Sequence, residues 1–204
     1  VKGYQAVTTI SVNNQYLNLL TNIGDLTSKG IELELKAQLN HQFSVNFNAA
    51  YTNATFDSGT APTPFETFNG PGGTTDSGYG KGSRDISGHR VNGAPRWTTH
   101  LALQHQHKVF ANAEHYSLVN YSWRSETYAD ANNSMYSKIP SYGVLNLVSG
   151  LRFPQGDNTI DVSFWAKNIL DERYYLGLVN SGNGIYTASA AEPRTIGASI
   201  KYSF

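Results

Sequence analysis

Apolar and polar positions alternate with a period of two along most of the chain, which predicts β-strands with one greasy and one polar face. The pattern is cleanest at Gly30–Leu39, where Ile31, Leu33, Leu35, Ala37 and Leu39 oppose Glu32, Glu34, Lys36 and Gln38. Glu, Leu and Lys favour helices, but at 3.6 residues per turn these apolar positions would scatter around the axis. A turn at Asn40–Gln42 leads to a second strand, Phe43–Phe56, with Val45, Phe47, Ala49 and Tyr51 on one face. The same alternation predicts strands at Trp97–Gln104, Tyr142–Phe153, Asn158–Asn168 and Pro193–Phe204. Tyr4–Val12 carries it weakly and Val109–Tyr121 poorly, which brings the expectation to eight strands and no convincing helix.

The connections fall into two kinds. Asn40–Gln42, His105–Lys108 and Pro154–Asp157 read as short turns, the last as Pro-Gln-Gly-Asp. Asn13–Ser28, Asp57–Ala94, Ser122–Ser141 and Asp171–Glu192 read as long loops, the first with room for a strand extension at Tyr16–Leu20. Long and short connections alternate, the rhythm of an antiparallel up-and-down barrel with short turns at one end and long loops at the other. A loop as long as Asp57–Ala94 would be out of place in a compact soluble domain, but not at the outer end of a barrel. Phe43, Phe110, Phe153 and Phe204 fall at short-turn ends, and Phe56, Trp97, Tyr121, Trp123 and Tyr142 at long-loop ends, as two interfacial girdles require. In the terminal stretch, Ile196, Ala198, Ile200, Tyr202 and Phe204 share a face opposite Thr195, Gly197, Ser199 and Lys201, as in a strand that meets lipid on one side.

Composition narrows the class. A length of 204 residues suggests one domain. No window approaches the roughly 18 to 20 apolar residues of a spanning helix, and mean hydropathy is −0.40, which leaves spanning by strands open. Fifteen basic residues balance fifteen acidic ones, against a nucleic-acid-binding surface. With no Cys, disulfides and thiolate metal sites drop out. Val1 is not an initiator Met and no signal-like segment opens the chain, so a processed chain or a piece of a longer one is expected.

Lys167–Tyr175, reading Lys-Asn-Ile-Leu-Asp-Glu-Arg-Tyr-Tyr, then Glu192-Pro193-Arg194 and the terminal Phe204, resemble the carboxy-terminal end of a TonB-dependent outer-membrane receptor. Asn22-Ile23-Gly24-Asp25 and Ser28-Lys29-Gly30-Ile31-Glu32-Leu33-Glu34 are similar to a recurrent segment of the same family, in the same order. The resemblance implies roughly the last eight strands of a barrel of about 22 strands with a plugged lumen. It implies a multi-pass location in a Gram-negative outer membrane and a part in energised uptake of a ferric siderophore, cobalamin, haem or saccharide. Partners implied are outer-membrane lipid, the rest of the barrel and its plug, the TonB complex, the barrel-assembly machinery and a small nutrient. Nothing in the chain resembles the plug or the segment that engages TonB. The alternatives are a complete eight-stranded barrel, which would pair its first strand with its last, and a soluble carbohydrate-binding sandwich, whose apolar faces would converge on one core.

Among individual residues, Glu32, Glu34, Lys36, Arg152, Asp161, Lys167 and Lys201 are expected on the lumen side, since Lys or Arg facing lipid costs about 2 to 4 kcal/mol near the midplane. Arg152, Asp161 and Lys201 are expected to share an ion-pair cluster, the first two being near neighbours across a hairpin. Arg84, Asp85, His89 and Arg90 could hold an anionic ligand, and Phe65, Phe68, Tyr79, Tyr128, Tyr136 and Tyr186 could stack on a sugar or chelate, although solvated loop is the usual fate of such residues. Asn168 and Asp171 are expected to turn the backbone, with Tyr174 packing nearby. His105 and His107 form a His-x-His pair, but their place in an expected turn favours solvent exposure over a metal. Tyr202 and Phe204 are assigned to the membrane-insertion signal that the resemblance implies. No nucleophile motif or cofactor site emerges, so an enzyme is not expected.

Overall fold

The computed structural model describes residues 1–13, 15–62, 83–110, 112–180 and 186–204. Among the described residues the strands are β1 (Tyr4–Val12), β2 (Gln15–Gln38), β3 (Phe43–Pro62), β4 (Ser83–Asp85), β5 (Trp97–Phe110), β6 (Ala113–Arg124), β7 (Thr127–Tyr128), β8 (Lys138–Ile139), β9 (Tyr142–Gln155), β10 (Asn158–Lys167), β11 (Tyr175–Asn180), β12 (Tyr186–Ala190) and β13 (Thr195–Ser203), with a 3-10 turn at Met135–Ser137. One sheet runs β1-β2-β3-β5-β6-β9-β10-β13, every pair antiparallel, with β4 added to β3. β7–β8 and β11–β12 are separate two-stranded pairs at the long-loop end. Among the described residues β1 pairs only with β2 and β13 only with β10, so the sheet is an open wall and a closed eight-stranded barrel is not formed.

Directly opposed residues in an antiparallel ladder point to the same side, so register carries face identity from strand to strand. Leu35 pairs with Phe47, Phe47 with Leu101, Leu101 with Tyr121 and Tyr121 with Leu145. On the same face Leu147 pairs with Ala166 and Ala166 with Ile196. This apolar face is uncovered: Ile31 is 75% exposed, Leu33 57% and Ile200 78%. The apolar faces of a soluble sandwich would pack against each other, whereas here they form one continuous belt far larger than a soluble monomer leaves open. The opposite face carries the charges, including Glu34 bonded to Lys36 at 2.6 Å.

Three expectations are corrected. Asn13–Ser28 is not a loop, because β2 runs unbroken from Gln15 and pairs along β1, Val12 opposite Gln15, as a hairpin rising at the long-loop end. His105–Lys108 is not a turn: β5 continues to Phe110, which pairs with Ala113, so Val109 and Phe110 belong to β5 and His105 and His107 are half-buried strand residues. The two long loops Ser122–Ser141 and Asp171–Glu192 hold β7–β8 and β11–β12, and β6 extends to Arg124.

Burial is concentrated at the long-loop end. Ile23, Leu26, Phe56, Ala61 and Ile86 form a buried cluster, with Tyr4, Ala6, Val91 and Ala131 packed against it. By the parity of β2 and β3, Leu26 and Phe56 lie on the charged side of the sheet, so the chain after β4 folds over that side. It is tied there by bonds from Phe56 N to His89 O at 2.9 Å and Val91 N to Ala54 O at 3.0 Å. Beside it Gly24 and Gly59 face each other at φ +156 and +146, and a Cβ on either would sit 2.1 Å from the opposite strand's carbonyl oxygen. Only glycine permits that approach.

Candidate functional site

The charged face has an ordered centre at its short-turn end. Lys108 lies opposite Glu114, Glu114 opposite Arg152, Arg152 opposite Asp161 and Asp161 opposite Lys201, a row of alternating sign across five strands. Arg152 Nε lies 3.5 Å from Asp161 Oδ2, and its Nη1 lies 3.5 Å from Glu114 Oε2. Tyr116 donates its hydroxyl to Asp161 Oδ1 at 2.6 Å, while the Arg152 guanidinium sits 5.2 Å from the Tyr116 ring centre. Arg152 and Asp161 thus meet as the hairpin geometry suggests. Lys201 sits in register with Asp161 but forms no ion pair among the described residues. Glu114 and Tyr116 were not foreseen, because they come from a strand about 40 residues away whose poor alternation hid its register.

At the long-loop end the structure redistributes the predicted ligand residues. Arg90 is spent within the protein: Nη1 reaches Glu126 Oε1 at 3.3 Å, Nη2 donates to Glu126 O at 2.8 Å, and the guanidinium lies over the Tyr128 ring at 5.6 Å. Its backbone is held too, Arg90 N donating to Asn133 Oδ1 at 2.8 Å and Asn133 Nδ2 donating to Arg90 O at 2.9 Å. His89 Nδ1 lies 3.2 Å from Ala131 O. Asp85 accepts from Ser87 Oγ at 2.6 Å and Ser87 N at 2.9 Å, and these two bonds hold its carboxyl below its usual range. Arg90 and His89 therefore join loop to loop, while Asp85 is bonded to Ser87 within its own segment. Arg84 is half-buried in β4, opposite Ala61.

Lys138 Nζ completes the strut at 2.7 Å from Glu126 Oε2. Lys138, and after it Arg90, lowers the carboxyl's pKa, and Glu126 in turn raises that of Lys138. Of the predicted aromatics, Tyr136 and Tyr186 come together with ring centres 6.4 Å apart, and Tyr128 is covered by Arg90. Tyr79, Phe65 and Phe68 lie outside the described residues.

The segment behind the terminal strand is a backbone clamp. Asn168 and Asp171 adopt φ +50 and +54, conformations that Asn and Asp tolerate best among non-glycine residues. Buried Asn168 accepts from Glu172 N at 2.9 Å and donates to Glu172 O at 3.0 Å and Glu192 O at 3.2 Å. Asp171 Oδ1 accepts from Arg194 N at 3.0 Å, joining the segment to the start of β13. Tyr174 stacks on Tyr142 at 3.9 Å. A cleft of about 430 Å³ at this point is lined by Asp171, Arg173, Tyr174, Tyr175, Ala190 and Pro193. Tyr202 and Phe204 adjoin on the apolar face, ring centres 6.0 Å apart.

A sheet with a continuous exposed apolar belt on one face, charges on the other, short turns at one end and folded loops at the other is a portion of a transmembrane β-barrel wall. Residues 1–169 match the family model described as TonB dependent receptor-like, beta-barrel, and the chain belongs to that family. Among solved structures it is similar to the ferric yersiniabactin uptake receptor FyuA from Yersinia pestis, with TM-score 0.65 and 19% identity over 88% of this chain and 24% of that one. It is also similar to the siderophore receptor PiuA from Acinetobacter baumannii, with TM-score 0.62 and 17% identity over 97% of this chain and 24% of that one. A third, the ferric preacinetobactin receptor BauA from Acinetobacter baumannii, gives TM-score 0.50 and 17% identity over the whole of this chain and 32% of that one. The chain thus spans a quarter to a third of the length of these receptors. No curated protein matches the sequence.

Proposed function

We propose that the chain forms the carboxy-terminal side of the barrel wall in a Gram-negative outer-membrane receptor for TonB-dependent uptake of a scarce small nutrient, with a ferric siderophore as the favoured class. The observation that carries this reading is the two-faced sheet: an exposed apolar belt suited to lipid, backed by a charged face suited to a polar lumen, in a chain of this family. The siderophore class is supported by what the structurally similar FyuA, PiuA and BauA are named for. The short turns then face the periplasm and the folded loops the outside. Tyr136 and Tyr186 line the ligand's route in from the outside, Arg84 belongs to the same outer region, and the charge row faces a plug. Tyr202 and Phe204 serve as the signal read by the barrel-assembly machinery, and the TonB complex acts through the plug.

The test uses the intact receptor in iron-starved cells, following uptake of radio-iron presented as ferric siderophores. Uptake should vanish without the receptor or without TonB. Replacing both Tyr136 and Tyr186 by Ala should weaken binding of the transported chelate roughly thirtyfold, at about 1 kcal/mol for each lost ring contact. Iron uptake that is the same with and without the receptor, across hydroxamate, catecholate and mixed-ligand chelates, would overturn the siderophore reading.

A further inference from the structure

We propose that His105, His107 and His115 form a binding site for one divalent transition-metal ion of the zinc and copper class, on the apolar face near the short-turn end. His105 and His107 are two residues apart on β5, so their imidazoles leave the same side of the sheet, and His115 of β6 lies directly opposite His107. One ring nitrogen from each lies within 4.8 Å of the others. The ring centres are 4.8 Å apart for His105 and His107, 5.1 Å for His107 and His115, and 5.8 Å for His105 and His115. Three nitrogens bound tetrahedrally at about 2.0–2.1 Å need to stand roughly 3.4 Å apart, a contraction that small side-chain rotations deliver.

A second observation points at a ligand. Nδ1 of His107 and Nδ1 of His115 are both buried and have no hydrogen-bond partner, a state that native proteins avoid unless something occupies the group. Neighbouring side chains brace the ring that would supply one of them. His115 Nε2 lies 3.0 Å from Ser149 Oγ and 3.4 Å from Ser117 Oγ, and these two hydroxyls lie 2.9 Å from each other. When Nε2–H donates to a serine oxygen, Nδ1 keeps its lone pair for a metal, the arrangement usual behind metal-bound histidine. His105 is steadied by Phe43, whose ring stacks on it at 4.3 Å. Glu114, next to His115, points to the other face with the charge row. Three neutral imidazoles without a carboxylate select zinc or copper over calcium or magnesium and leave a fourth position for water.

The site also explains its place. It staples β5 to β6 two rungs from the end of their ladder, at the level of Phe43, where an ion can arrive from the aqueous side. It does not depend on which nutrient the receptor carries.

The test adds zinc chloride or copper(II) chloride alone to the detergent-purified intact receptor. Calorimetry should find a site that is lost in His107→Gln and His115→Gln, with affinity down at least about tenfold. Copper spectra should show nitrogen coupling from three imidazoles, and zinc should raise the unfolding temperature of the wild type but not of His107→Gln or His115→Gln. His107→Cys, which keeps a ligand, should restore zinc binding, separating loss of the site from loss of fold. His100→Gln, on the opposite face, should leave binding unchanged. The proposal is overturned if the double variant His107→Gln/His115→Gln binds zinc as the wild type does. It is equally overturned if the wild type binds none and the triad instead contacts lipid phosphate in phosphatidylglycerol nanodiscs.

Discussion

At the long-loop end Phe56 and Ile86 are 1% and 0% exposed, locked in an apolar cluster between β2, β3 and the chain after β4. At the short-turn end the side chains that organise the sheet, Glu114, Arg152 and Asp161, remain partly exposed and gain their order from standing opposite one another. One end is held by what it hides from solvent, the other by what it lines up. The outer end, where loops must hold a shape without a continuous ladder, needs a small core of its own. The body of the wall already has every rung of the ladder paired, so its side chains are free to meet lipid on one face and charge on the other.

The largest test of this contrast is Phe56→Ala. Emptying a fully buried aromatic site should cost about 3–5 kcal/mol, seen in the intact receptor as proteolysis of the long-loop end while the strands stay protease-resistant. Equal loss of protection at both ends would erase the distinction.

A smaller effect is expected from Asp161→Asn, which removes the carboxylate shared by Arg152 and Tyr116. With partial exposure the cost should be about 1 kcal/mol and should shrink in high salt. A double-mutant cycle with Arg152→Gln checks it, and strictly additive effects would show that alignment contributes nothing.

The smallest effect is at the outer strut. The carboxyl of Glu126 titrates below its ordinary 4.5 because Lys138 favours the charged form. A depressed folded-state value means the stabilisation is full above the unfolded pKa and is lost as pH falls through the folded one. For Lys138, raised above 10.5, the sign reverses: its contribution is full below 10.5 and is lost as pH rises past the folded value. Protection against hydrogen exchange across β7 and β8, taken relative to the intrinsic rate at each pH, should therefore hold at neutral pH and fall only below 4.5 or above 10.5. A fall in protection near pH 7 would remove the strut from the account.

What could be read from the sequence follows the same division. Strand positions were legible wherever Leu and Ile mark one face, as in Gly30–Leu39 and Tyr142–Phe153, because lipid-facing alternation is a strong signal. The strand in Gln15–Ser28 is hard to read because its apolar alternation at Leu17 and Leu19 is short and gives way to Thr21, Asn22, Gly24 and Asp25, the residues of a loop. At His105 and His107 the alternation continues in position but not in hydropathy, so the strand was cut short. His115 could have been found from the spacing: a turn centred at 111 puts 107 opposite 115, and the register does so. Arg90 and Glu126 could not have been paired from sequence, since nothing local says which loop leans on which.

The alternating row from Lys108 to Lys201 has a consequence for how the wall is put together. Sliding β10 by two residues against β9 would move Asp161 about 7 Å along the strand and set Arg152 against Thr159 or Ser163, breaking the Arg152–Asp161 pair. Sliding it by one would turn Asp161 and Lys167 out among the leucines. Each strand added thus meets a check on its alignment written by the strand before it, and misthreaded walls are marked by stray charge before they are complete.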